Sequence, residues 1–379
     1  MQSVQKGFFV SRRATKNIRF DALQSVRGLA AVVVVLRHVL ACYPLPSHTA
    51  AVIVFFLFNS PAAVTLFFTL SGFVLVHALE HRQFAVRTIL AFWTQRVFRI
   101  LPALMAVTVL SFLYTRLPIS GWPLAANDPF MDGLLLHDMP LSPAGLFKCL
   151  ISLSGALIPQ NWTVLVELIA AAGFPILWLC SRSGARAFLP LAAFTLVLAF
   201  CAPGGGKGLP FIYSFSFVAG AAAYRAWQNT DIRLTGVGVL LATIGLSLPT
   251  TLLTEPETLG AYFNSSTLVV PEAVFAAILL FGLSRDETPI ARALSNRPLL
   301  WLGDISFSLY LVHFLIIAIA GRLLTPWLPA MPVVGRDLLV FVVTMLIALP
   351  LSHLLYEFVE KPFNNFGRKL ASFWRAPRI

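Results

Sequence analysis

Long apolar runs recur along the whole chain and limit the class of fold that it can adopt. Eleven of them are separated by short polar connections, and most have the ~17 to 25 residues that a helix needs to cross a bilayer. The first begins near residue 21, and the others lie near residues 61–79, 99–115, 144–158, 163–180, 187–202, 209–226, 234–253, 268–283, 299–321 and 338–358. Hydrocarbon offers the backbone no hydrogen bonds, so such runs form helices. We therefore predict an all-α, polytopic membrane protein.

Composition excludes a soluble domain and a nucleic-acid-binding protein. Of the 379 residues, 58% are hydrophobic and 12% are charged, which is more apolar than a soluble core requires. The net charge of +12 does not indicate nucleic-acid binding, because Lys and Arg are scattered over short loops without a zinc, helix-turn-helix or RNA-binding signature. The four cysteines also lack the spacing of metal ligands, so no metal site is predicted.

The distribution of Lys and Arg decides whether the segment 144–158 crosses the membrane. This segment has only about fifteen residues and contains Lys148, as an interfacial or re-entrant segment would. If it stays outside, ten spans remain, and the inner segments hold 21 Lys and Arg against five in the outer segments. If it crosses, the totals become 12 and 13, and the excess of basic residues in the cytoplasm is lost. We therefore predict about ten transmembrane helices and one short interfacial or re-entrant segment.

The same charge bias predicts where the ends of the chain lie. Residues 1–20 are a basic cytoplasmic segment, residues 21–363 are the transmembrane domain, and residues 364–379 are a basic cytoplasmic tail. Both termini are expected in the cytoplasm, and the protein in the inner membrane of a bacterium. No soluble run is long enough to form an additional domain.

Two ionisable side chains interrupt the first apolar run. Arg27 and His38 are eleven residues apart, which places them on one face of a helix and about 16 Å apart along its axis. Such side chains are costly in hydrocarbon, so both should face the protein interior or a water-filled cavity and mark a functional site. The alternative is an Arg that reaches the interface from the helix end and a His whose hydrogen bonds are satisfied in the interior.

Two motifs place polar residues in the second and third runs. Phe67-Phe-Thr-Leu-Ser71-Gly-Phe73 lies in the second run, where its small residues could also serve ordinary helix packing. Arg96-Val-Phe-Arg99-Ile-Leu-Pro102 begins the third run, and its two arginines are one helical turn apart. They can hold phosphate groups, or they can simply fix the topology.

Three motifs follow in the second half of the chain. In Asn161-Trp162-Thr-Val-Leu-Val-Glu167, Trp162 suits the outer interface, and Glu167 lies about one turn into an apolar span, where an acid rarely serves only packing. The residues Ser306, Tyr310 and His313 form one polar stripe on a predicted helix, although hydroxyl groups there could simply bind the backbone. Glu360-Lys361-Pro362 follows the last run and could mark only a helix end.

Together these motifs resemble the acyltransferase-3 family of integral membrane O-acyltransferases, over about residues 18–363. The family carries Arg and His with ten residues between them, then Phe-Phe-x-x-Ser-Gly-Phe, Arg-x-x-Arg-hydrophobic-x-Pro, Trp-Ser-Leu-x-x-Glu, Ser-Tyr-x-x-Tyr-hydrophobic-x-His and Glu-Lys-Pro. This sequence departs from the pattern at Thr163, Val164 and Phe307, and Gln95 stands where many members have a further Arg.

The resemblance implies transfer of an acyl group, most often acetyl, from cytoplasmic acyl-CoA to a hydroxyl of a carbohydrate or glycolipid. No permanently bound cofactor is implied. The hydroxyl needs a base, and His38 is our candidate because neutral imidazole takes up protons near neutral pH. Arg27 then holds the donor's phosphates or positions the inner end of the pocket, and Glu167 orients His38 or contacts the acceptor hydroxyl. The donor-binding residues are Arg96 and Arg99, and the pocket residues are Ser71, Trp162, Tyr310 and His313.

Two other classes of protein compete with this interpretation. A transporter or channel could use the same Arg, His and Glu to line a permeation path. It would be expected to show inverted repeats and paired helices broken by Gly or Pro, which the sequence lacks. A sensor or scaffold that only binds lipid would leave the paired arginines and the intramembrane acid unexplained.

Overall fold

In a computed structural model, the chain is a bundle of helices. The structure describes residues 19–43, 47–124, 133–135, 141–203, 206–253, 265–285 and 288–374. The α-helices of six or more residues in the described ranges are α1 (Asp21–Cys42), α2 (His48–Leu57), α3 (Ser60–Leu79), α4 (Val86–Tyr114), α5 (Pro143–Leu150), α6 (Asn161–Arg182), α7 (Ala185–Phe200), α8 (Ser214–Asn229), α9 (Gly236–Leu253), α10 (Ser266–Leu283), α11 (Pro289–Leu294), α12 (Arg297–Leu324), α13 (Val333–Leu355) and α14 (Lys361–Ser372). No strand occurs within the described ranges, which confirms the predicted all-α class.

Eight helices in the described part of the chain are long and apolar enough to cross a membrane, when α2 is joined to α3 and α13 to α14. The spans predicted at 187–202 and 209–226 correspond to α7 and α8, which have 16 residues each. The segment 144–158 contains only the 8-residue helix α5, whose rise of about 12 Å is too short for a hydrocarbon core of ~30 Å. The protein is therefore a multi-pass membrane protein in which this segment is not a spanning helix.

Helices α1 and α12 run side by side in the same direction. They touch at Gly28 and Gly303, where a Cβ atom on Gly28 would lie 2.7 Å from the backbone nitrogen of Gly303. A Cβ atom on Gly303 would collide with the backbone of Gln24. Small residues of this kind let two membrane helices approach closely. This contact places Arg27 and His38 of α1 against the polar stripe of α12.

A second close approach joins α3 to α8. A Cβ atom on Gly72 would collide with the backbone of Phe217, and one on Gly220 would collide with the backbone of Thr69. The glycine of the Phe-Phe-x-x-Ser-Gly-Phe motif therefore serves helix packing, as its small size indicates. Its neighbour Ser71 does not take part in this packing, and its side chain faces α6.

The last long helix continues past the end predicted for the transmembrane domain. A π-helical turn, Tyr356–Glu360, connects α13 directly to α14. Helix α14 packs against α4, where the ring centroids of Phe98 and Phe366 are 5.2 Å apart. Residues 364–372, expected in a basic tail, thus form a helix that lies beside the arginine motif of α4.

Topology can be tested with reporters in two connections. We expect reporters fused at Gly184, between α6 and α7, and at the C-terminus to show cytoplasmic activity. A reporter at Lys207, between α7 and α8, should show external activity, because each further span changes the side of the membrane. Paired alkaline phosphatase and fluorescent-protein fusions measure both outcomes. External activity at Gly184 would mean that the segment 144–158 crosses the membrane after all.

Candidate active site

A cavity of about 380 Å³ lies between α1, α3, α4, α6 and α12. It extends from Arg19, before the start of α1, to Tyr310, midway along α12. Six of the nine site residues predicted from the sequence line it: Arg27, Ser71, Arg96, Arg99, Glu167 and Tyr310. The motifs of distant stretches of sequence therefore meet at one place.

Arg27 is fixed to α12 at the cavity wall. Its Nε donates to Ser306 Oγ at 2.9 Å, and its Nη2 donates to the Gly303 carbonyl at 2.5 Å. One turn earlier, Gln24 donates to Asp304 Oδ1 at 2.8 Å. A guanidinium has five N–H groups, more than these contacts use, so Arg27 can also bind an anion in the cavity.

A polar cluster joins α3, α4 and α6. Arg96 Nη2 lies 3.4 Å from Glu167 Oε2, and Ser71 Oγ donates to Glu167 Oε1 at 3.2 Å. The side chains of Arg96 and Glu167 are 16% and 22% exposed, so both are accessible from the cavity. Among the described residues, Glu167 contacts Ser71 and Arg96 and makes no contact with His38. The carboxylate is thus placed to meet a hydroxyl in the cavity.

Arg99 is paired with an acid from the end of the last long helix. Its Nη1 lies 3.2 Å from Oε2 of Glu360, whose side chain is fully buried. Ser308 Oγ of α12 donates to the other carboxylate oxygen at 2.5 Å. The Glu-Lys-Pro motif therefore contributes an ion pair with Arg99 in addition to the continuation of the helix.

His38 and His313 lie beside each other but outside the lining of the cavity. Their ring centroids are 5.0 Å apart. The Nδ1 atoms face backbone carbonyls, 2.8 Å from Val34 O for His38 and 2.6 Å from Tyr310 O for His313. A carbonyl can only accept, so in the neutral rings Nδ1 carries the proton and Nε2 holds a lone pair. Either Nε2 can therefore act as a base.

Tyr310 forms the wall between the cavity and the histidine pair. Its ring centroid lies 5.6 Å from that of His313 and 5.9 Å from that of Phe67, which also lines the cavity. Thr163 Oγ1 donates to the Tyr310 hydroxyl at 3.0 Å, and Gln160 donates to the Tyr310 carbonyl at 2.9 Å. Residues at the start of α6 thus hold this wall in place.

Trp162 lies outside the cavity in which it was expected, whereas Gln24 and Asp304, which belong to none of the motifs, lie in the cavity wall. The Trp162 ring lies against Tyr213, with centroids 5.6 Å apart, and does not line the cavity. Gln24 and Asp304 do line it. Both are polar residues near the start of an apolar helix, and Gln24 lies one turn before Arg27, which is the signal that could have identified it.

A family model described as an acyltransferase domain matches residues 20–357. The chain belongs to the acyltransferase-3 family. All nine predicted site residues lie within the matched range. No match was found among curated proteins or among solved structures. As a member of the acyltransferase-3 family, the protein is a membrane acyltransferase, and the transporter and scaffold interpretations are set aside.

Proposed function

We propose that the protein transfers an acetyl group from cytoplasmic acetyl-CoA to a hydroxyl of a carbohydrate, such as a cell-surface or secreted glycan. The charge of the cavity is the observation that carries this proposal. The basic residues that line it are Arg19, Arg27, Arg96 and Arg99, and the acidic ones are Glu167 and Asp304. CoA is a polyanion, and arginine binds phosphate oxygens through paired, charge-assisted hydrogen bonds.

The positions of the lining residues support one orientation of the donor in the cavity. Arg19 and Gln24 lie at one end of the cavity and Tyr310 lies at the other. With its phosphates held by arginines, the donor would extend its thioester toward Tyr310. In this orientation Arg27 lies at the inner boundary of the hydrocarbon core. The rise along α1 from Arg27 to His38 is about 16 Å, which is half of a ~30 Å core. The histidines would then lie near the middle of the membrane, where an acceptor from outside can meet a donor from inside.

The transfer itself needs a base near the acceptor hydroxyl. The hydroxyl oxygen attacks the carbonyl carbon of the thioester, and its proton moves to Nε2 of His38. The C–S bond then breaks, and the departing CoA sulfur takes the proton back from the imidazolium. His38 has this atom available because its Nδ1 donates to the Val34 carbonyl. For the two reactants to meet, the acyl arm must pass the ring of Tyr310.

The acceptor would approach from the opposite end of the bundle. In this proposal both termini lie in the cytoplasm of a bacterium, and the glycan lies beyond the inner membrane. The excess of Lys and Arg in the inner segments, 21 against five, supports this orientation.

Arg96→Ala and Arg99→Ala should each weaken acetyl-CoA binding by about 10- to 150-fold, because each removes a charge-assisted phosphate contact worth about 1.5 to 3 kcal/mol. Calorimetric titration of the purified protein with acetyl-CoA measures this effect. Arg87→Ala is the matched control, since Arg87 is exposed on the same helix and does not line the cavity. Wild-type affinity in both cavity variants would contradict the donor site and leave these arginines as topology determinants.

A further inference from the structure

Glu360 is a buried carboxylate that the proposed reaction does not use. Its side chain is 0% exposed, and it does not line the cavity, although its partner Arg99 does. Burial of a carboxylate costs several kcal/mol unless the charge is paired and its oxygens are hydrogen-bonded. The charge is paired with Arg99, 3.2 Å from Oε2, and the other oxygen, Oε1, accepts a hydrogen bond from Ser308 at 2.5 Å. A residue with only a packing role would avoid this cost by being apolar.

The backbone around Glu360 is also unusual. The turn Tyr356–Glu360 is π-helical, with one more residue per hydrogen-bonded ring than an α-helix, and such turns occur frequently at functional sites. Its two acids face different surroundings. Glu357 is 36% exposed and pairs with Lys361 on the same helix at 2.7 Å. Glu360, three residues later, points into the protein and reaches α4 and α12.

We propose that Glu360 is a positioning residue for the acyl donor. It holds the guanidinium of Arg99 from the side that faces away from the cavity, so that the remaining N–H groups of Arg99 are directed at the donor's phosphates. The Arg99 side chain is 25% exposed, which leaves it accessible from the cavity while Glu360 stays enclosed. This role rests on the proposed function, in which Arg99 binds acyl-CoA.

The opposite role would be competition, in which Glu360 neutralises Arg99 and opposes phosphate binding. The two roles predict opposite changes in the affinity for the donor when Glu360 is replaced. Without an anchor, Arg99 loses its fixed orientation, and the donor binds more weakly. Without a competitor, the cavity becomes more positive, and the donor binds more tightly.

The test is a double-mutant cycle on the affinity of the purified protein for acetyl-CoA. Glu360→Gln should weaken binding by about tenfold in the wild-type background, within the range of coupling between contacting residues, and should have no further effect in Arg99→Ala. Glu360→Asp, which keeps the charge, should recover part of the loss. Glu357→Gln is the matched control from the same turn and should bind like the wild type.

Each other outcome overturns the proposal. Tighter binding by Glu360→Gln would make Glu360 a competitor, and an equal loss in the Arg99→Ala background would make it a general structural residue. If Arg99→Ala lost affinity for acetyl-CoA as expected while Glu360→Gln kept the wild-type affinity, only the positioning role would be overturned. Wild-type affinity of Arg99→Ala would remove Arg99 from the donor site and overturn the positioning role with it, and the proposed donor site itself would fail only if Arg96→Ala also kept wild-type affinity.

A second variant covers the case in which Glu360→Gln does not fold. Ser308→Ala removes only the hydroxyl that donates to the Glu360 carboxylate. It should weaken acetyl-CoA binding by a smaller factor, about threefold, and again have no effect in Arg99→Ala. Wild-type affinity of Ser308→Ala in the wild-type background would count against the positioning role.

Discussion

Replacement of His38 by alanine is expected to lower the rate of acyl transfer by a factor of about 10² to 10⁴, the loss typical of removing a general base. The Nδ1 of His38 is bound to the Val34 carbonyl, so the lost group is the Nε2 lone pair that would take the hydroxyl proton. The variant should insert and fold normally, because it removes a polar group from an apolar helix. Incorporation of labelled acetyl into the glycan fraction of membrane vesicles measures the rate.

Two comparisons make this result specific. The affinity for acetyl-CoA should be unchanged in His38→Ala, because His38 does not line the donor cavity. His313→Ala is the matched variant, since the two rings lie 5.0 Å apart and present the same tautomer. Near-normal transfer by His38→Ala with a large loss in His313→Ala would assign the base to His313. Near-normal transfer by both variants would contradict a histidine base.

Glu167→Gln is expected to lower kcat by about 10²-fold, the lower end of the range for acid–base groups, without raising the KM for acetyl-CoA. The substitution keeps the size of the side chain and removes its charge. Arg96, which lies 3.4 Å from the carboxylate, stays at the cavity and loses a competitor for phosphate. Transfer falls because, once the ring of Tyr310 moves aside, the acceptor hydroxyl held at His38 also reaches this carboxylate, which accepts from Ser71 in this structure.

The separate effects on kcat and on KM distinguish this role from one in which Glu167 only orients Arg96. A raised KM with an unchanged kcat would mean that Glu167 only orients the arginine. Asp304→Asn is the matched control, because it removes a second negative charge from the same cavity at a residue held by Gln24. Its kcat should stay close to that of the wild type. An equal fall in both variants would indicate a general effect of cavity charge.

Local patterns in the sequence are sufficient to predict the helices and most of the site. A helix has a fixed period, so the stripe of Ser306, Tyr310 and His313 can be recognised from spacing alone. The length of the segment 144–158 likewise argues against a spanning helix. Six predicted residues meet in the cavity because each lies in a polar motif within an apolar run, where a polar side chain requires a partner.

The partners of these residues could not be predicted, because tertiary packing sets them. The contact of Gly28 with Gly303 fixes how α1 lies against α12. As a result, the polar residues of the α12 stripe lie on different sides of the cavity wall. Ser306 binds Arg27 at the cavity, whereas His313 lies beyond Tyr310.

The same limit applies to Glu167 and Glu360. The sequence suggested His38 as a possible partner of Glu167, whereas in the structure the carboxylate contacts Arg96 and Ser71. The π-helical turn that directs Glu360 toward Arg99 has no signature in its sequence, so Glu-Lys-Pro alone could indicate no more than a helix end.

Release of CoA coupled to glycan acetylation tests the proposed activity most directly. The purified protein is reconstituted in liposomes and supplied with acetyl-CoA and a surface glycan from which mild base has removed the O-acetyl groups. We predict that CoA is released in equal molar amount to the acetyl esters formed, only when the glycan is present, and that His38→Ala lowers the rates of both by a factor of about 10² to 10⁴. Movement of the glycan or of acetyl-CoA across the membrane with neither CoA release nor ester formation would contradict the proposed transfer.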